Sequence, residues 1–186
     1  MSVAIKRKGY GQVEANHLSA QYTGQIYAQL PAQTKSGTTL TPIAQLENGQ
    51  FLRYDYANGI ATTGAGDGEW MLVFNEVKLY DERRQNYKDF VMLASEQADK
   101  LIYPRLLKTN VGDIFTTNMV GVASTGPDAE QAAATTLAVG DKMTVTAATG
   151  ILAKNTSENL TGQVFQVVKE YTLADGQAAV KLQRIQ

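Results

Sequence analysis

Glu69-Trp70-Met71-Leu72-Val73-Phe74-Asn75-Glu76-Val77-Lys78-Leu79-Tyr80 is the most apolar stretch of the sequence. With its continuation Asp89-Phe90-Val91-Met92-Leu93 it holds the single tryptophan, two of the five phenylalanines and two of the five methionines. No other segment carries as much apolar bulk, so it is expected at the centre of the main core, with Trp70 buried. Residues 70–74 are continuously apolar and residues 76–80 alternate, which predicts a strand covered on both faces at its start and on one face later.

Upstream, Asn48-Gly49, Asn58-Gly59 and Asp67-Gly68 each supply a turn dipeptide of the kind tight hairpins use, so residues 36–68 read as a β-meander. Within it, Phe51, Arg53 and Asp55 share one face and Leu52, Tyr54 and Tyr56 the other, the second being the expected core face. Gly64-Ala65-Gly66-Asp67-Gly68 runs into a strand, not a helix, and lacks the Lys-Ser/Thr ending of a phosphate loop. It is read as a turn.

Residues 1–35 are rich in glutamine, tyrosine and small residues and are expected to form an extended N-terminal arm ordered against something else. Lys6-Arg7-Lys8 inside it is expected to be solvated. Tyr10, Gln12, His17, Tyr22 and Tyr27 are the candidate partner-contact residues.

Downstream of the central strand, Asp81 to Lys88 is a charged connection. Ser95-Glu96-Gln97-Ala98-Asp99-Lys100 fits a helical turn capped by Ser95, and Pro104 limits any longer helix. Val111-Gly112-Asp113 and Val139-Gly140-Asp141 echo one another, each read as a glycine turn whose aspartate accepts backbone hydrogen bonds before a strand. Residues 123–136 are small and polar, the expected linker or long loop. Lys142 to Val145, Gly150 to Ala153, Val164 to Tyr171 and Ala178 to Ile185 read as four strands, the last two joined through Leu173 to Gln177.

The expected architecture is therefore mainly β, sandwich-like or barrel-like, with little helix. Its expected parts are an arm (1–35), a main β domain (36–122), a linker (123–136) and a small C-terminal β subdomain (137–186).

Seventeen basic and eighteen acidic residues nearly balance over 186 residues, which argues against a nucleic-acid partner. No apolar run approaches the ~20 residues a membrane helix needs, and the first residues lack the order of a signal peptide. Synthesis in a cytoplasm is expected. The absence of cysteine removes disulfides, thiolate metal sites and cysteine nucleophiles. His17, the single histidine, has no second histidine or cysteine to join it in a zinc site or triad and is read as structural. Asp81, Glu82, Asp89 and Glu76 could pair as glycosidase carboxylates, but their spacing fixes no separation. No catalytic residue, metal or cofactor is expected.

Three stretches carry a family resemblance: Lys8-Gly9-Tyr10-Gly11-Gln12-Val13-Glu14 with Asn16-His17-Leu18-Ser19-Ala20-Gln21, then Leu46-Glu47-Asn48-Gly49-Gln50-Phe51, then Gly68 to Tyr80. Together they resemble small virion structural proteins of tailed bacteriophages, of the head-decoration or minor-capsid kind. The resemblance covers about the first two-thirds of the chain and includes no catalytic or ligand motif. It implies a non-enzymatic protein on the capsid surface of the virion, binding the major capsid protein and assembling as a homo-oligomer. The alternative is a carbohydrate-binding or host-adhesion module, whose sign would be tyrosines and Trp70 exposed along one face.

Overall fold

The computed structural model describes residues 2–7, 9–14, 18, 26–27, 29–75, 91–121 and 135–186. The structure is mainly β and antiparallel, with two five-stranded sheets. The central stretch supplies β8 (Met71–Val73), which lies in the middle of the first sheet. Its neighbours are β6 (Phe51–Asp55) and β10 (Leu106–Leu107), flanked by β7 (Ile60–Thr62) and β2 (Ile26–Tyr27), in the order β2-β10-β8-β6-β7. Met71, Leu72 and Val73 are all buried, as the continuous apolar run predicts. The alternating residues 76–80, the charged connection 81–88, and Asp89 and Phe90 lie outside the described residues.

The expectation of one core face on residues 51–56 is corrected. Phe51 packs in one core cluster while Leu52 and Tyr54 pack in another, and Tyr56 is 64% exposed. The first sheet is covered on both sides. Its Phe51, Leu72 and Leu107 face the second sheet, and its Leu52, Met71, Val73 and Leu106 face a cover that includes Ala32, Leu46, Ala94 and Ile102. The cover includes β5 (Gln45–Glu47) paired with β9 (Val91–Leu93), followed by a single 3-10 turn at Ala94–Glu96 where a helical turn is expected. The meander is also corrected. The Asn58-Gly59 turn makes a β6–β7 hairpin, but β8 returns to the opposite edge of β6.

The second sheet runs β11-β16-β15-β13-β14, from β11 (Ile114–Thr117), β16 (Ala178–Arg184), β15 (Phe165–Thr172), β13 (Lys142–Thr146) and β14 (Ile151–Lys154). The four C-terminal strands are where alternation places them, and Val180, Leu182 and Arg184 point inward. The sheet's remaining strand, β11, comes from before the linker, and its core is shared with the first sheet.

Gly150, in the β13–β14 turn, binds the two sheets together. Its carbonyl accepts from Phe51 N–H (2.7 Å) at a φ of +70°, and a side chain there would fall on the Phe51 carbonyl oxygen. Gly150→Ala is expected to lose at least about 1–3 kcal/mol, the usual cost of a non-glycine held in an unfavourable backbone region. A urea-unfolding midpoint unchanged from wild type would contradict this reading of the joint.

The Val-Gly-Asp echo is a structural repeat. Asp113 Oδ2 accepts from Asn110 N–H and Asp141 Oδ2 from Ala138 N–H, each at 2.8 Å. Gly112 N–H donates to the Arg184 carbonyl and Gly140 N–H to the Val167 carbonyl, again at 2.8 Å. The Gln183 and Gln166 side-chain amides donate to the carbonyls of Gly112 and Gly140. Gln166 and Gln183 are register partners across β15 and β16. The two turns are therefore related by a local two-fold through that pair. Both aspartates serve backbone geometry, the role expected from sequence.

Residues 2–7 and 9–14 run along the body and are docked to it. β1 (Ser2–Ile5) pairs with β12 (Thr135–Ala138), which begins inside the expected linker, and Ile5 and Val13 enter the shared core. The solvated basic cluster is corrected at Arg7, which is buried and bonded to fully buried Glu47 at 2.7 Å. A charge that can reach a buried carboxylate leaves water, and nothing local in Lys6-Arg7-Lys8 announces that partner. Residues 123–134 of the linker lie outside the described residues.

Candidate functional site

Where the two sheets part, a groove of about 490 Å³ opens, lined by Arg53, Glu69, Trp70, Thr144, Thr161 and Gln163 among others. Trp70 is half-buried here, which corrects its expected burial. The reason is tertiary. Its backbone N–H donates to Gln163 Oε1 (2.6 Å) and its carbonyl accepts from Gln163 Nε2 (2.9 Å), so a buried glutamine 93 positions away fixes the backbone of the residue just before β8. The guanidinium carbon of Arg53 lies 4.6 Å from the indole centroid, a cation–π distance. Arg53 Nε also donates to the Gly64 carbonyl (2.7 Å), which ties the glycine-rich turn to the groove rim. That turn folds back on β6 through Asp67 N–H and Gly68 N–H to the Tyr54 carbonyl, as expected of a turn.

The Glu69 carboxylate is paired with two cations. Glu69 faces Arg184 at 3.4 Å and Lys108 at 3.6 Å, and Arg184 also donates to the carbonyls of Thr109 and Gln186. Partial burial pushes the Glu69 carboxyl up, but the Arg184 and Lys108 cations more than offset it and hold it below the ordinary glutamate range. A carboxyl held ionised in this way is a poor proton donor at neutral pH.

Of the candidate contact residues, Tyr10, Gln12 and Tyr27 are among those described. Gln12 is buried; its N–H donates to Asn118 Oδ1 (2.8 Å) and its side-chain amide to Asp175 Oδ2 (2.7 Å). Burial raises the Asp175 carboxyl, and the bonds from Gln12 and Gln177 outweigh this and lower it. Tyr10 is half-buried. Tyr27, also half-buried, sits on β2 with its ring edge-on to Tyr54 at 5.7 Å. His17 and Tyr22 lie outside the described residues, as do Glu76, Asp81, Glu82 and Asp89. Among the described residues no group of three or more histidine or acidic side chains is placed to hold a metal ion.

Sequence reading missed Arg53 and Gln163 as site residues. Arg53 gives a faint signal, an arginine inside an otherwise buried strand. Gln163 gives none, because its role depends on a strand edge far away in sequence. Family models, curated proteins and solved structures compared with the chain give no match.

Proposed function

We propose that this chain is a non-enzymatic virion structural protein that attaches to a lattice of major capsid protein, as a head-decoration or minor head protein does, and acts as a homo-oligomer on the capsid surface. The resemblance of the three quoted stretches motivates the reading. The structural observation that supports it most is an exposed ribbon at the surface, β3 (Gln33–Ser36) paired with β4 (Thr39–Pro42).

Seven of the eight strand residues of this ribbon are exposed and Gln33 is half-buried, with Leu40 40% exposed, while β3 lies beside β7 and Lys35 Nζ donates to Asn58 Oδ1 (2.7 Å). Its root is firm. Ala32 is fully buried and accepts from Ile43 N–H (3.0 Å), and its own N–H reaches the Ile102 carbonyl (2.7 Å). Two-stranded ribbons are marginal alone in water, and a ribbon anchored at its root with an exposed outer strand is well made to pair with a neighbouring subunit. Many copies of a modest contact on a symmetric shell give firm attachment without a deep site. Among the described residues no helix is long and apolar enough to cross a membrane.

The test is co-sedimentation with tailed-phage shells assembled without this protein. Full-length protein should pellet with shells, and a variant with residues 34–41 replaced by Asn-Gly should pellet at least tenfold less while remaining folded. A shortened variant that pellets like wild type, or a wild type that ignores shells, would overturn the proposal.

A further inference from the structure

We propose that Asn58 is a site of spontaneous deamidation in the folded protein, and that Asn48, in the same Asn-Gly dipeptide, is protected from it by the fold. The chemistry is local. The backbone nitrogen of the following glycine, on losing its proton, attacks Cγ of the asparagine; the Cγ–Nδ2 bond breaks and ammonia leaves, closing a five-membered succinimide. One water then opens the ring at either carbonyl, giving aspartate or isoaspartate. Glycine favours the first step because no Cβ obstructs the approach and its backbone turns freely. Sequence makes both dipeptides reactive, so their surroundings decide which one reacts.

Asn48 is 1% exposed, and its amide is bonded at both ends to the Asn75 backbone: Nδ2 donates to the carbonyl (3.1 Å) and Oδ1 accepts from the N–H (2.8 Å). The attacking nitrogen is occupied too, because Gly49 N–H donates to the Val73 carbonyl (3.0 Å). Met119 and Thr117 wall in Gly49, leaving no room even for a methyl group. Ring closure there has to break three bonds inside the body of the protein.

Asn58 and Gly59 are half-buried in the β6–β7 turn, and the space beside the Gly59 Cα is open. Among the described residues the Gly59 N–H has no hydrogen-bond partner, so the nucleophile is free. The Asn58 amide is held by side chains alone: Nδ2 donates to Asp55 Oδ2 (2.5 Å) and Oδ1 accepts from Lys35 Nζ (2.7 Å), the second an exposed bond. Such bonds open to water without unfolding the sheet. The Lys35 cation also lies where negative charge collects on Oδ1 as the ring closes. Asn58 lines an open groove of about 300 Å³ with Lys35 and Asp55, which admits the water for the second step. The product sets a second carboxylate beside Asp55, and the isoaspartyl form adds one carbon to the backbone of the turn.

The full-length protein would be aged in mildly alkaline buffer made with heavy-oxygen water, both native and in concentrated urea, and the peptides containing residues 48 and 58 followed by mass spectrometry. In the native protein Asn58 should convert at least about tenfold faster than Asn48, taking one oxygen from the labelled water and yielding aspartyl and isoaspartyl peptides. In urea the two should convert at rates within about threefold of each other, because the protection of Asn48 is lost with the fold. A native Asn58 that stays intact while both sites react in urea would overturn the proposal. So would a native Asn48 that keeps pace with Asn58.

Discussion

Glu47→Ala is expected to lower stability by about 3–5 kcal/mol, the penalty typical of removing one partner from a buried ion pair. Glu47 is fully buried; its Oε2 accepts from Arg7 and from the Gly11 N–H, each at 2.7 Å, and its Oε1 accepts from the Gln45 side-chain amide at 2.9 Å. Alanine would strand the Arg7 charge and the Gly11 N–H away from water. It would also release residues 7–14 from the β5 turn, and with them Val13 from the shared core. Arg7→Leu in the same background should cost less than the sum of the two single changes, because the second substitution removes the charge that the first leaves unpaired. Guanidinium-chloride unfolding of the two single variants and the double variant gives the coupling. Strict additivity would mean that the pair does not hold the N-terminal segment.

Phe165→Ala is expected to lose a similar amount, about 3–5 kcal/mol, by leaving a cavity at the centre of the sandwich. Phe51, Phe115 and Phe165 form a triangle with ring centroids 5.4–6.0 Å apart, one ring from the first sheet and two from the second. Each is at most 1% exposed. The triangle joins the sheets, so the loss should appear as a single unfolding transition at a lower midpoint. Two separate transitions would show that the sheets fold independently. Val111→Ala, at a turn tip that is 66% exposed, is the control and should stay within about 0.5 kcal/mol of wild type.

The parts of this fold that could be read from sequence are those whose determinants are local. Val180, Leu182 and Arg184 alternate with Lys181, Gln183 and Ile185, and the sheet buries them in that order. The two Val-Gly-Asp turns could be read because each aspartate accepts a backbone hydrogen bond from the residue three positions before it. Phe51 could not be placed from its own strand, since its burial depends on a second sheet assembled from residues 114–184. Arg7 could not be placed because its partner lies 40 positions away. Trp70 differs from its expected burial for the same kind of reason. Apolar bulk argues for burial, but the residue stands at the mouth of the groove, where Gln163 fixes its backbone. The groove is lined by residues as far apart as Arg53 and Gln186, so it has no signature in any single segment.

Hydrogen–deuterium exchange of the full-length protein, free and bound to shells lacking it, tests the attachment surface most directly. In the free protein the amides of residues 34–41 should exchange quickly while those of residues 71–73 and 165–167 stay protected. On shells the ribbon amides should become strongly protected, with residues 68–70 unchanged. Protection confined to other segments, with the ribbon still exchanging freely, would contradict the account.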